Sequence, residues 1–187
     1  MTRAILALCC SASAAAGLAT PTAAQIVNPW SIEGRVGAAI PIGDISDNDE
    51  TAGLSAGADV MYAFARSASV YAGGSWYRFN CDGDACVGDR SGRGVDAGVK
   101  LGFAQEGSSA LPWIRGGVIL HQTEIEDSDS DWAPGFEVGA GVDLALSPRF
   151  SLVPGFRLYG YEADFADEEN DATMRFFVVD LGGHIHF

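Results

Sequence analysis

Three histidines, two close pairs of cysteines and a run of alternating acids are the residues here whose types and spacing suit chemistry. A nucleophilic hydrolase sets a basic His beside a Ser or Cys and steadies the His with a carboxylate. His184 and His186 stand two apart near the C-terminus, but no Ser follows either, and His121 beside Gln122 has no adjoining Ser. Catalytic residues are therefore expected to be none, and histidines held by nearby carboxylates are the simpler reading. Asp127, Asp129 and Asp131 have the spacing that opens a calcium loop. Trp132 and Val138 stand where such a loop would want Gly and Glu, so the run reads as a solvated acidic loop and no metal is assigned. A weak divalent-cation site bridging acidic loops to anionic lipid is the alternative left open. Gly92 with Gly94 and Gly139 with Gly141 open no helix, which rejects a phosphate cradle. No cofactor is expected.

The cysteines depend on where the chain is cut. Residues 1–24 begin with Arg3, continue through apolar and small residues, break at Pro21 and end Thr22-Ala23-Ala24. This order matches a secretory signal with cleavage after Ala24, leaving residues 25–187 as one domain. Leu8 before Cys9 does not fit lipidation. Cys9 and Cys10 leave with the leader, so Cys81 and Cys86 remain in an exported, oxidising setting. A disulfide across CDGDAC is the expected pairing. A two-cysteine metal site is the rival, without a nearby His to complete it.

Positioning these groups falls to strands. From Trp30 onward apolar residues recur at every second position, and no stretch keeps a 3.6-residue period for the length of a helix. Residues 54–64, 95–103, 136–144 and 177–187 alternate cleanly, and 32–40, 70–79, 113–120 and 152–161 do so more weakly. Eight strands result. The phase of 70–79 is ambiguous, since Trp76 and Arg78 share a face opposite Tyr77 and Phe79. Pro154 cannot donate a ladder hydrogen bond and implies a bulge or gap.

The connections alternate in length. Short turns fall at 65–68, 105–110 and 146–149. Four long loops at 42–52, 80–92, 122–133 and 161–173 hold four, three, five and six acidic residues, 18 of the chain's 25. The formal charge of −14, from 11 basic and 25 acidic residues, is thus concentrated at one end of the molecule. Such acidity repels phosphate backbones and excludes nucleic acid as a partner. No apolar run reaches the roughly 18 residues of a spanning helix, whereas a β-barrel spans on alternating patterns, with long loops at one rim and short turns at the other.

Alternation alone does not say which face is outside. The polar face is mostly Gly, Ala and Ser with isolated charges of nearly balanced sign: Glu33, Asp59, Asp96, Glu137, Asp143 and Asp180 against Arg35, Lys100, Arg115 and Arg157, with Arg78 as a further candidate. That composition suits a crowded lumen in which charges must pair. Tyr62, Phe64, Phe103 and Phe187 lie on the apolar face near the short turns, where an aromatic girdle would meet a membrane interface. The expectation is an all-β, eight-stranded antiparallel up-and-down transmembrane β-barrel.

Over Trp30 to Phe187 the layout resembles the small eight-stranded outer-membrane barrels of the OmpA-like, OmpX-like and opacity-like group. The most specific element is the last strand, FFVVDLGGHIHF, ending in Phe187. The resemblance implies that this strand is the signal read by the barrel-assembly machinery, that the mature protein sits in a Gram-negative outer membrane among lipid and lipopolysaccharide, and that it is a monomer. Sequence corresponding to the peptidoglycan-binding domain of full-length OmpA-type proteins is not found here, so a cell-wall tether is not implied.

An eight-stranded lumen is about filled by side chains, which disfavours a diffusion pore. The expected function is a non-enzymatic structural or surface-contact role, adhesive or opacity-like, with a surface ligand at the long loops. Two alternatives stand beside it: a lipid A-modifying barrel enzyme, which needs a His–Ser pair facing lipid, and a soluble periplasmic barrel binding a small apolar ligand.

Overall fold

A computed structural model describes residues 28–43, 50–81, 90–103, 108–125, 128–163 and 172–187, with only the backbone of Ile125, Ser128, Asp129 and Ala172. The expected leader with its cut after Ala24, and Cys86, lie outside the described residues. The elements are β1 (Trp30–Pro41), β2 (Glu50–Ala65), β3 (Ala68–Cys81), β4 (Arg90–Gly102), β5 (Ala110–Ile125), the two-residue β6 (Ser128–Asp129), β7 (Ala133–Ser147), β8 (Phe150–Ala163) and β9 (Ala172–His186).

The eight long strands pair antiparallel with their sequence neighbours, β1 with β9 and β4 with β5 closing the ring, while β6 adds only a short pairing to β5. The chain folds as a closed eight-stranded antiparallel barrel, the form in which no backbone edge is left unpaired in lipid. Its strands run further into the acidic loops than apolar alternation suggests. β2 begins at Glu50, opposite Cys81, β5 continues to Ile125, opposite Arg90, and β8 and β9 pair out to Ala163 and Ala172. Hydropathy reports where a strand touches lipid, whereas backbone pairing continues into water under polar side chains.

Alternation decides the two faces. Outward residues are large and apolar: Val36, Leu54, Val60, Val95, Val118, Val138, Val179 and Leu181 are all exposed on the bare protein, with Val118 at 67%. Trp30, Tyr62, Phe64, Phe103, Phe150 and Phe187 ring the short-turn end on this face, and Trp30 packs edge-on against Tyr62 at 5.0 Å. Inward residues are buried and largely polar. On β3, Tyr71, Tyr77 and Phe79 point inward while Trp76 and Arg78 point outward, so Arg78 is not a lumen charge. At Pro154 the β7–β8 ladder skips the two pairs opposite Val142 and Asp143 and resumes in the same register. The irregularity is a gap, not a bulge, as the missing N–H requires.

Candidate functional site

The lumen is stacked in three levels. In the middle lie the ten charges picked out by parity, all buried. Asp59 Oδ2 accepts from Arg35 Nη1 at 2.6 Å and from Arg115 Nη1 at 2.7 Å. Arg115 Nη2 reaches Glu137 Oε1 at 2.6 Å, and Asp96 lies 3.5 Å from Arg35 and 3.7 Å from Arg115. Glu33 takes Lys100 Nζ on Oε2 at 3.0 Å and Arg157 Nη2 on Oε1 at 2.8 Å. Arg157 also pairs with Asp180, and Lys100 with Asp143 at 3.0 Å.

Register explains why such a network is needed. Glu33 and Asp59 are direct cross-strand partners on β1 and β2, a like-charge juxtaposition that destabilises a sheet by itself. Cations reaching across the lumen from β4, β5 and β8 offset it. With Tyr71 of β3 donating to Glu137 and lying 3.7 Å under the Arg115 guanidinium, every long strand contributes to at least one of two ion-paired clusters, one joined through Asp59 and Arg115 and the other through Glu33. Truncating one partner would strand a buried charge, which is costly even though the intact pair adds little net stability.

Small residues make the room. A Cβ on Gly57 would stand 2.7 Å from Arg35 Cζ, and one on Gly98 or Gly117 would stand 2.4 Å from the Tyr71 hydroxyl. The glycines of the polar face thus serve the side chains packed beside them.

Toward the long loops an aromatic level caps the charges. Tyr77, Phe79, Tyr159, Tyr161 and Phe176 pack with ring centroids 4.6 Å (Tyr77–Phe176) and 5.0 Å (Tyr159–Phe176) apart. Thr123 bonds the hydroxyls of Tyr77 at 3.2 Å and Tyr161 at 2.7 Å, and the two tyrosines bond each other. His121 is buried beside them, its Nε2 3.1 Å from Ser75 Oγ. At the rim, Arg90 Nε lies 3.0 Å from Glu50.

Toward the short turns lies a third level of Ser31, Met61, Trp113, Ser151, His184 and His186 around a cavity of about 460 Å³. All three histidines face inward, so among the described residues no His–Ser pair faces lipid as a lipid A deacylase would require. Glu33, Asp143 and His184 offer ligand atoms within 4.8 Å of one another. The Lys100 ammonium already sits 3.0 Å from both carboxylates, so the cluster is an ion-paired group with its cation supplied by the chain. Asp127 of the acidic run lies outside the described residues, as do the side chains of Ser128 and Asp129. Cys81 ends β3, but its expected partner Cys86 is outside the described residues too.

Parity along each strand marks the ten charges, but Tyr71 and Trp113 are not distinguished by it. The signal for Tyr71 was present in its two-residue spacing from the inward positions of β3. It was masked because Tyr suits either face of a wall.

A closed ring of eight strands, apolar outside and ion-paired inside, with short turns at one rim and long acidic loops at the other, defines an integral barrel of an outer membrane. The chain belongs to the family of the outer membrane protein beta-barrel domain, which it matches over residues 4–184, and its location is accordingly the outer membrane. The fold is similar to that of Neisserial surface protein A (TM-score 0.68, 16% identity, covering 85% of this chain and 97% of that one). It is also similar to OprG from Pseudomonas aeruginosa (0.52, 12%, 86% and 98%) and to the N-terminal barrel domain of OprF from the same organism (0.51, 14%, 84% and 97%). Among curated proteins no sequence matches the chain.

Proposed function

We propose that the mature protein is a monomeric wall element of the outer membrane whose long acidic loops form a surface-contact site, adhesive or opacity-like. The observation that carries this is the division of charge. Each of the six lumen carboxylates is ion-paired with one or more of four lumen cations, while 18 of the 25 acidic residues fall in the four long connections at one rim. A wall cross-braced from all eight long strands is a rigid mount for such loops, and loops on rigid scaffolds are where binding concentrates. On this reading residues 1–24 are removed on export, the strand ending at Phe187 engages the barrel-assembly machinery, and the loops meet lipopolysaccharide or a cationic surface ligand. The soluble-barrel alternative is disfavoured by the outward apolar band, and the lipid-modifying alternative by the inward histidines.

The test is contact at the cell surface. Cells expressing the protein are compared with cells expressing a variant whose residues 44–49, 82–89, 126–131 and 164–171 are replaced by Gly-Ser linkers, using attachment to a polycationic coated surface and pull-down with each purified barrel. Attachment and capture should fall to the level of non-expressing cells in the variant while its barrel still folds. Equal attachment by both would remove the loops from the function.

A further inference from the structure

Ser31, His184 and Asp143 come from β1, β9 and β7 and meet at the short-turn mouth. Ser31 Oγ lies 2.8 Å from His184 Nε2, and His184 Nδ1 lies 3.3 Å from Asp143 Oδ1. Register brings this about: β1 pairs with β9 so that Ser31 is opposite His186 and Glu33 opposite His184, placing Ser31 on the diagonal from His184. All three line the cavity of about 460 Å³ along with Lys100, Trp113 and His186. Nucleophile, base and orienting carboxylate in this order are recognised by geometry and role, whatever the fold. Acyl transfer also needs donors for the developing oxyanion. The Trp113 indole N–H is buried without an acceptor among the described residues, and Lys100 Nζ lies 4.7 Å over the same ring.

We propose that Ser31 is a nucleophile activated by His184, which accepts acyl groups from small water-soluble esters entering by the short-turn mouth. Ser31 Oγ bonds to the ester carbonyl carbon as its proton passes to His184 Nε2. The ester C–O bond then breaks, and the leaving oxygen takes that proton and departs as an alcohol. Water next gives a proton to His184 and attacks the acyl-serine. The carboxylic acid leaves as Ser31 Oγ recovers the proton, so nothing is oxidised or reduced. Asp143 positions the imidazole, with its other oxygen held by Lys100. Because the three residues face the lumen, the substrate comes from water and not from the lipid around the wall. This activity lies at the rim opposite the acidic loops and stands or falls independently of them.

The experiment treats the folded barrel in detergent micelles with a fluorophosphonate probe and, separately, with p-nitrophenyl acetate. Intact and peptide mass spectrometry should find the adduct on the peptide carrying Ser31. Labelling should be absent in Ser31→Ala and slower by roughly 100-fold or more in His184→Gln, with p-nitrophenolate release falling in parallel. Folding of each variant is checked by its shifted migration in unheated gels. If His184→Gln does not fold, the pH profile of labelling in the wild type decides: a rate that rises through one histidine-like ionisation supports the proposal, and a rate flat between about pH 5 and 9 overturns it. No adduct on the folded wild type, or an adduct that survives in Ser31→Ala, also overturns it.

Discussion

Arg157 shows what the lumen demands of single residues. It is fully buried and holds both Glu33 and Asp180. Arg157→Ala should therefore destabilise the barrel by roughly 3–5 kcal/mol, because buried Asp180 loses its cation and Glu33 keeps only Lys100. Urea unfolding from lipid vesicles measures this, and a change under about 1 kcal/mol would mean that water reaches the site. Gly57→Val acts through volume instead of charge. Its Cβ would meet Arg35, and overpacking of this kind costs about 1–3 kcal/mol in the same assay. At this scale much was legible in the sequence, since a charge within an alternating strand can occupy only one face. The Ser31–His184 pair was not legible. Its members are 153 positions apart, and only the closure of β1 on β9 makes them neighbours.

Strands test the assignment of faces. Val118 on β5 is outward and two-thirds exposed. Against lipid, Val118→Arg should cost roughly 2–4 kcal/mol, falling toward nothing near the rims. A neutral effect in vesicles would place water, not hydrocarbon, outside the wall. The last strand offers a second test at this scale: deleting Phe187 should lower the yield of assembled protein in cells while in vitro refolding continues, if the residue serves the assembly machinery. The strand set was readable from a period of two, but strand lengths were not. Glu50, Arg90 and Glu162 carry the ladder onward after the apolar alternation has ended. The phase of β3 needed its neighbours, because Trp, Tyr and Phe all tolerate either face.

For the molecule as a whole, the aromatic level of Tyr77, Phe79, Tyr159, Tyr161 and Phe176 above the ion-paired level leaves side chains across the lumen at two heights. Planar bilayers containing the purified barrel should carry no steady current. The central claim is that the apolar face meets lipid and the charged face is enclosed. Its most direct measurement places single spin labels in turn at Val118, Ile119 and Leu120 of the barrel in lipid vesicles and compares collisions with oxygen and with a water-soluble nickel chelate. Val118 and Leu120 should be open to oxygen and shielded from nickel, with Ile119 shielded from both. Nickel access at Val118 and Leu120 would contradict the transmembrane assignment.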